Sequence, residues 1–398
     1  MRNGPLTGTR VLDLTNVLAG PYCSYQLALL GAEVIKVEAP GIGDLARQLG
    51  ADSKLNAIGL GTSFLAQNAG KKSVVIDLKS DDGKAAFTKL VAGADVLVEN
   101  FRPGVLARLG FPWSELRKIN SGLVYCAISG FGQTGPMSQR PAYDQIIQGL
   151  SGMMSITGTR DTAPLRVGFP ICDTIGGLTA SMAINAALAG RGRTGEGCFI
   201  DVSMLEASLS AMGWAVSNYL ISGLLTEPMG DQNATAAPSG TFEAADGPLN
   251  IAANRQEQFV TLCRIINRPD LLDDERFRER EARKVNREAL NREINNALRT
   301  RPALEWEETL SVAGVPAARV LTVDQALGLE QLADRGFIAE LPMPNGMHRT
   351  IRVVGNGAMF DGQPSVPVLP PPLLGEHDEE LLNGGDPASD QVDSATAS

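Results

Sequence analysis

Histidine is nearly absent from this 398-residue chain: only His348 and His377 occur, both late in the sequence. A Ser–His–Asp triad would have to use one of them, and no GxSxG elbow occurs, so nothing points to that chemistry. Cysteine is sparse and odd in number. Cys23, Cys126, Cys172, Cys198 and Cys263 are scattered without a CxxC pair, which suggests neither a zinc site nor a disulfide framework; no metal is expected. No basic run offsets a net charge of −10. Nucleic acid is therefore disfavoured as a partner, whereas an anionic small molecule needs only a local basic pocket. The first residues, MRNGPLTGTR, contain no apolar leader core, so a cytoplasmic protein is expected. One uncharged stretch, 207–226, is broken by serines and glycines and flanked by Glu206 and Glu227. It reads as a buried helix of a large core rather than a membrane span, so no membrane partner is expected.

Apolar sequence is plentiful. Hydrophobic residues at 43% against 20% charged give a globular chain with ample core, and the length suggests two domains. Residues 10–38 read as strand, helix, strand: RVLDLT, GPYCSYQLALLG and AEVIKVE. SVVIDL (73–78), a helix over 82–94, DVLVEN (95–100) and LVYCAISGFG (123–132) continue the alternation. This pattern predicts an α/β fold with a parallel, helix-covered sheet that binds ligands beyond its carboxyl edge. Residues 15–20, 38–47, 99–103 and 129–135 would all lie on that rim. From about 235 the texture changes to a hairpin with a turn at Asp246-Gly247, then mostly helix with a solvated charged face over 256–330.

The pseudo-dinucleotide signals are weak. The first turn, TNVLAGP, has one glycine where the fingerprint wants three. A literal GxGxxG at Gly130, Gly132 and Gly135 is followed by Pro136 and Pro141, so no helix start receives a pyrophosphate; it reads as a flexible loop or plain turn. ENFRPGVLARLG (99–110) places Asn100, Arg102 and Arg108 at a strand end and on the next helix, where they are either a phosphate grip or ordinary surface arginines. The stretch 164–191 holds one acid, Asp173, between a short apolar run and a helix with a paired glycine, Gly176-Gly177. That carboxylate is either an N-cap or a nucleophile. Cys172 beside it reads as a small core residue.

Taken together these segments resemble the class III CoA-transferases of the CaiB/BaiF type, which include formyl-CoA transferase and the carnitine CoA-transferase. The resemblance runs through LxGxRVLDLTxVLAGP (6–21), LGAEVIKVEAPGxGD (30–44), NxxKKSVxxDL (68–78), DVLVENFRPG (95–104), SGFGQTGP (129–136), YDxxxQxxSG (143–152), TGEGCFIDVSMLEA (194–207) and PPPLLGEH (370–377). It implies a Rossmann-like large domain over 1–224, a smaller α+β domain over 225–325, and a return to the large domain over 326–385. Residues 386–398 are expected to be a disordered tail. It also implies an interlocked homodimer, in which 207–226 becomes linker or interface helix.

By position the resemblance makes Asp173 the catalytic nucleophile of a CoA transfer between carboxylates, passing through an aspartyl anhydride and an aspartyl-CoA thioester. A carboxylate is ordinarily ionised near neutral pH, so such a chain needs no histidine base. Val17 and Ala19 would line the first turn of the CoA site, Asn100, Phe101 and Arg102 would hold the nucleotide or pantetheine, and Arg108 a phosphate. Arg47, Arg140, Tyr143 and Arg166 are weaker candidates for phosphate or substrate contacts. No cofactor beyond the CoA thioester is implied. Two departures stand out: Ala39 replaces an arginine of formyl-CoA transferase, and ATAAPSG (234–240) stands where that enzyme has a glycine-rich lid. A racemase branch of the family uses a histidine that falls on Tyr143 here, which argues against proton exchange. Residues 125–144 and 151–158 look closest to the branch that takes succinyl-CoA and a dicarboxylate, with formyl-CoA/oxalate and carnitine types as alternatives.

Overall fold

The computed structural model describes residues 4–383, so the expected tail at 386–398 lies outside the described residues. Its central element is a six-stranded, wholly parallel sheet in the order β3-β2-β1-β4-β5-β6. The strands are β1 (Arg10–Asp13), β2 (Glu33–Glu38), β3 (Lys72–Val75), β4 (Val96–Glu99), β5 (Val124–Ser129) and β6 (Phe199–Ser203). That order is the doubly wound one, whose topological switch falls between β1 and β4. The strands are apolar on both faces because helices cover both. Val11, Val34, Val96 and Val124 pack on one side with helices α1 (Ala19–Leu29), α3 (Asp144–Leu150) and α4 (Ile171–Thr194). Leu12, Ile35 and Leu97 pack on the other, against Phe87, Leu90 and Val91 of α2 (Asp81–Ala92).

Helix α4 is 24 residues long, and among the described residues it is the one helix long and apolar enough to cross a membrane by length and composition. Its paired glycines are packing devices. A Cβ on Gly177 would stand 2.6 Å from the Ala19 carbonyl oxygen of α1, and one on Gly176 would stand 2.9 Å from Met204 Cγ. The uncharged stretch after β6 forms two short helices, α5 (Met204–Ala211) and α6 (Trp214–Ser222). The expectation of a buried core helix is corrected here: α6 buries none of its residues, and Trp214, Leu220 and Ile221 are 78%, 75% and 84% exposed.

The described chain divides into two compact units: residues up to Met153 with Arg166–Leu224 and everything from Glu330 on, and Met154–Leu165 with Leu225–Leu329. The second unit holds an antiparallel sheet, β7-β8-β9 (Ser239–Glu243, Pro248–Ala252, Ala317–Arg319). Against it pack α7 (Gln256–Ile265), α9 (Arg287–Leu298) and α10 (Ala303–Val312), with α8 (Arg280–Val285) beside α9. Its core is Phe242, Leu249, Ile251, Phe259, Ile294 and Trp306. The chain then returns to the first unit through the ribbon β10 (Ile338–Pro342) and β11 (Thr350–Val354). That segment is stitched down where Tyr25 donates to the Val354 carbonyl (2.7 Å), Ser365 to that of Leu29 (2.7 Å) and the His377 amide to that of Ser73 (3.0 Å).

Candidate active site at the switch point of the sheet

The turn from β1 into α1 is held from several sides. Asn100, just past β4, bridges the switch point: its Oδ1 accepts from Asn16 N and its Nδ2 donates to Asn16 O, both at 2.8 Å. Val17 sits at φ +69°, a left-handed conformation that costs a β-branched residue about 1–3 kcal/mol. Its amide donates to Asp44 Oδ1 at 2.9 Å. Beneath the turn, Lys36 donates to the Thr15 carbonyl (2.8 Å) and pairs with Asp44 (2.9 Å), while Lys71 pairs with Asp13 (2.9 Å). Burial alone would raise the Asp13 pKa, but Lys36 and Lys71, with hydrogen bonds from Ser24 and Thr15, hold it well below the usual carboxylate range. A strained turn is thus fixed by a buried ionic network and by a side chain from across the crevice.

Asp173 lies in the first turn of α4, and Gly177, one turn further on, is the residue pressed against Ala19. Val17, Ala19, Asn100 and Asp173 therefore belong to adjoining ends of β1, α1, β4 and α4. The N-cap alternative for Asp173 does not hold. Pro170 occupies that position, and the α4 amides are capped from 28 and 29 residues away by Asp144, whose Oδ1 accepts from Cys172 N (2.8 Å) and Asp173 N (3.3 Å). Asp144 Oδ2 in turn accepts from Gln148 Nε2 (2.6 Å) and lies 3.8 Å from Arg166 Nη2. The Asp173 carboxyl is half-buried. Burial first, and the Asp144 charge second, push its pKa up to about 7. The expectation of an ordinarily ionised carboxylate is corrected accordingly: burial and the Asp144 charge make this carboxyl hold its proton to higher pH than a free aspartate does. Cys172 is fully buried, and burial raises its thiol pKa, which suits a core residue.

The other candidates divide. Phe101 packs against the sheet core. Arg102 and Arg108 are exposed and form no ion pair among the described residues, so both are available to an anion. Arg140 and Tyr143 are likewise exposed, and Arg166 is exposed beside Asp144. Arg47 is a correction. It is buried, its Nε and Nη2 fork onto Glu38 (2.7 and 2.6 Å), its Nη1 reaches the Pro372 carbonyl (3.3 Å), and it stacks 3.7 Å from the Phe64 ring centroid. With these groups engaged it braces the segment after β2 and is not placed to receive a phosphate.

Asp144 and Gln148 are not singled out by the sequence as parts of the site, although both stand in the YDxxxQ segment at a helical i,i+4 spacing; the amides they receive, Cys172 and Asp173 for Asp144 and Val167 for Gln148, lie too far along the chain for spacing to show. Glu99 was also missed. It is buried at the end of β4, accepts from Phe101 N (2.6 Å) and the Tyr125 hydroxyl (3.0 Å), and burial lifts its pKa to about 7. No group of three or more metal-ligating side chains exists among the described residues.

The chain as a whole has counterparts in known proteins. The profile of CoA-transferase family III matches residues 6–378. The chain is 42% identical over 339 residues to the acetyl-CoA:oxalate CoA-transferase of Acetobacter aceti, spanning 84% of this chain and 85% of that one. It is 36% identical over 378 residues to the succinyl-CoA:glutarate CoA-transferase of Mus musculus, spanning 95% and 86%. Among solved structures, a CaiB/BaiF family protein from Brucella suis superposes with a TM-score of 0.83 at 33% identity, covering 96% of this chain and 99% of that one. With fold, length and sequence in agreement, the chain belongs to CoA-transferase family III.

Proposed function

We propose that this CoA-transferase works in the cytoplasm, moving CoA from succinyl-CoA to a small dicarboxylic acid with Asp173 as its nucleophile. The observation that carries the reading is the half-buried Asp173 carboxyl beside the switch-point turn, with its pKa near 7. In its ionised form it attacks the thioester carbonyl, forming a mixed anhydride and releasing CoA thiolate. The thiolate attacks the aspartyl carbonyl, which forms the aspartyl-CoA thioester and frees the donor acid. The acceptor carboxylate then attacks that thioester and expels the thiolate. Attack of the thiolate on the acceptor's acyl carbon gives the new acyl-CoA and regenerates Asp173. No cofactor beyond CoA enters this sequence. Burial disfavours the ionised resting carboxylate, so consuming that charge in the first step is favoured by the same environment that raises the pKa. Val17 and Ala19 line the CoA site, Asn100 and Phe101 shape it, and Arg102 and Arg108 meet phosphates; Arg140, Tyr143 and Arg166 face the acids.

The dicarboxylate acceptor is supported by the relatives, whose names give oxalate, glutarate, mesaconate and citramalate. A second reading, acetyl-CoA with oxalate, is favoured by the 42% identity to the Acetobacter enzyme. The test is to incubate the protein with succinyl-CoA, trap with hydroxylamine or borohydride, and map the label by mass spectrometry. Label on Asp173 supports the mechanism; turnover without label there refutes it. An assay panel of C4–C6 dicarboxylates against oxalate, formate and carnitine then separates the acceptors, and transfer confined to the second group overturns the branch. The exposed apolar face of α6 supports a homodimer.

A further inference from the structure

Helix α3 carries a buried polar side chain that the proposed transfer does not use. Gln148 has no exposed surface, and an amide so buried is costly unless its donors and acceptor are met. Both ends are met. Nε2 donates to Asp144 Oδ2 one turn earlier (2.6 Å) and reaches the Phe169 carbonyl (3.4 Å), while Oε1 accepts from the Val167 amide (2.8 Å). The i,i+4 spacing puts Gln148 and Asp144 on one face of α3. All of these residues belong to the first compact unit. The amide thus ties an acid on α3 to the stretch of backbone that leads into α4.

The contacts converge on the start of α4. Held at Oδ2 by Gln148, Asp144 presents Oδ1 to the Cys172 and Asp173 amides (2.8 and 3.3 Å). The Val167 and Phe169 contacts fix the residues just ahead of Pro170, the N-cap. Four backbone groups around the helix start are therefore gripped: two by Gln148 directly, and two through Asp144. A side chain in a first helical turn goes where that backbone goes, and a displacement of about 1 Å at reacting atoms can cost about a hundredfold in rate. A neutral amide donates and accepts at once at any pH, which a carboxyl does only while protonated. The charged and titratable groups around Gln148 are Asp144 on its own helix, Arg166 ahead of α4, Cys172 and Asp173 on α4, and the exposed Glu206 on α5.

We propose that Gln148 is a positioning residue for the transfer: by holding Asp144 and the 167–169 backbone together, it fixes the α4 start that carries Asp173. It acts through Asp173 and so rests on that residue being the nucleophile. The test compares kcat from about pH 6 to about pH 9 in wild type, Gln148→Glu and Gln148→Met, with succinyl-CoA and glutarate and with acetyl-CoA and oxalate. The introduced carboxyl of Gln148→Glu accepts from the Val167 amide in either state but donates to Asp144 only while protonated. The ratio of its kcat to that of wild type is therefore expected to fall about tenfold or more as pH rises across the range, with KM for the CoA thioester changed less than about threefold. Gln148→Met fills the space without donor or acceptor, so its kcat should drop about tenfold or more at every pH. Should Gln148→Met fail to fold, the pH course of Gln148→Glu decides. A ratio that stays flat, or one that dips near pH 7 and recovers by pH 9 as added charge alone would make it, overturns the proposal, as does a loss carried by KM. Hydroxylamine trapping on wild type separates the two readings. Turnover without label on Asp173 refutes both, whereas label there with a flat ratio refutes only the role of Gln148.

Discussion

Asp173 is kept protonatable near pH 7 by a fold that disfavours its charge, and this has consequences for rate and for stability. In the proposed mechanism only the ionised form attacks the thioester, so kcat/KM is expected to fall as pH drops through about 7. Asp144→Asn removes the smaller of the two causes while leaving an oxygen to accept from Cys172 N. The acid limb of the pH–rate profile should move to lower pH but stop short of an ordinary aspartate, because burial remains. The stability effect has the opposite bearing. A carboxyl whose folded pKa is raised costs nothing below the unfolded value near 4, and the penalty grows until it levels off above about 7. Asp173→Asn should therefore abolish transfer yet melt higher, by about 1–3 kcal/mol of stability at pH 8 and by almost nothing at pH 4. Equal stabilisation at both pH values would show that the charge is not the cause. Asn100→Ala should loosen the turn that carries Val17 and raise KM for the CoA thioester about tenfold, with kcat less affected.

Close approach of α1 and α4 is what brings the first turn and Asp173 to one place, and Gly177 permits it. Gly177→Ala puts a methyl 2.6 Å from a backbone oxygen that cannot rotate away, so a loss of about 1–3 kcal/mol in urea melts is expected. Gly176→Ala meets only the flexible Met204 side chain and should be milder. The sheet strands were legible in the sequence because a strand buried on both faces is an uninterrupted apolar run, as in Val96–Glu99 and Val124–Ser129. Helix α6 was misread for a related reason: apolarity shows that a surface is to be covered, not which chain covers it. The Asp144 cap and the Arg47–Glu38 fork were hidden because a carboxylate's partner is chosen by tertiary approach, and Arg47 looks in sequence like any loop arginine. The two side chains missing at the paired glycine make room for α1 and Met204.

The exposed apolar residues of the first unit form more than scattered surface. Trp214, Tyr219, Leu220, Ile221 and Leu224 follow one another along and just past α6. The double change Leu220→Asp and Ile221→Asp is expected to convert a dimer to a monomer in sedimentation velocity, with the far-UV spectrum retained; a wild-type monomer at micromolar concentration would refute the dimer. The apolar run and flanking charges could announce helix here, but association depends on a second surface that one sequence does not display.

The late return of the chain has a bearing on its synthesis. Lys72 pairs with Glu380, the Val75 amide with Asp378, and Leu29 with Ser365, so the first unit receives these supports only when the segment from Ser365 to Glu380 has left the ribosome. The inserted unit, Leu225–Leu329 with its early strand of chain at Met154–Leu165, has all its sequence available well before that. On a translating ribosome it should therefore become protease-resistant first, while the parallel sheet, begun earliest, is finished last.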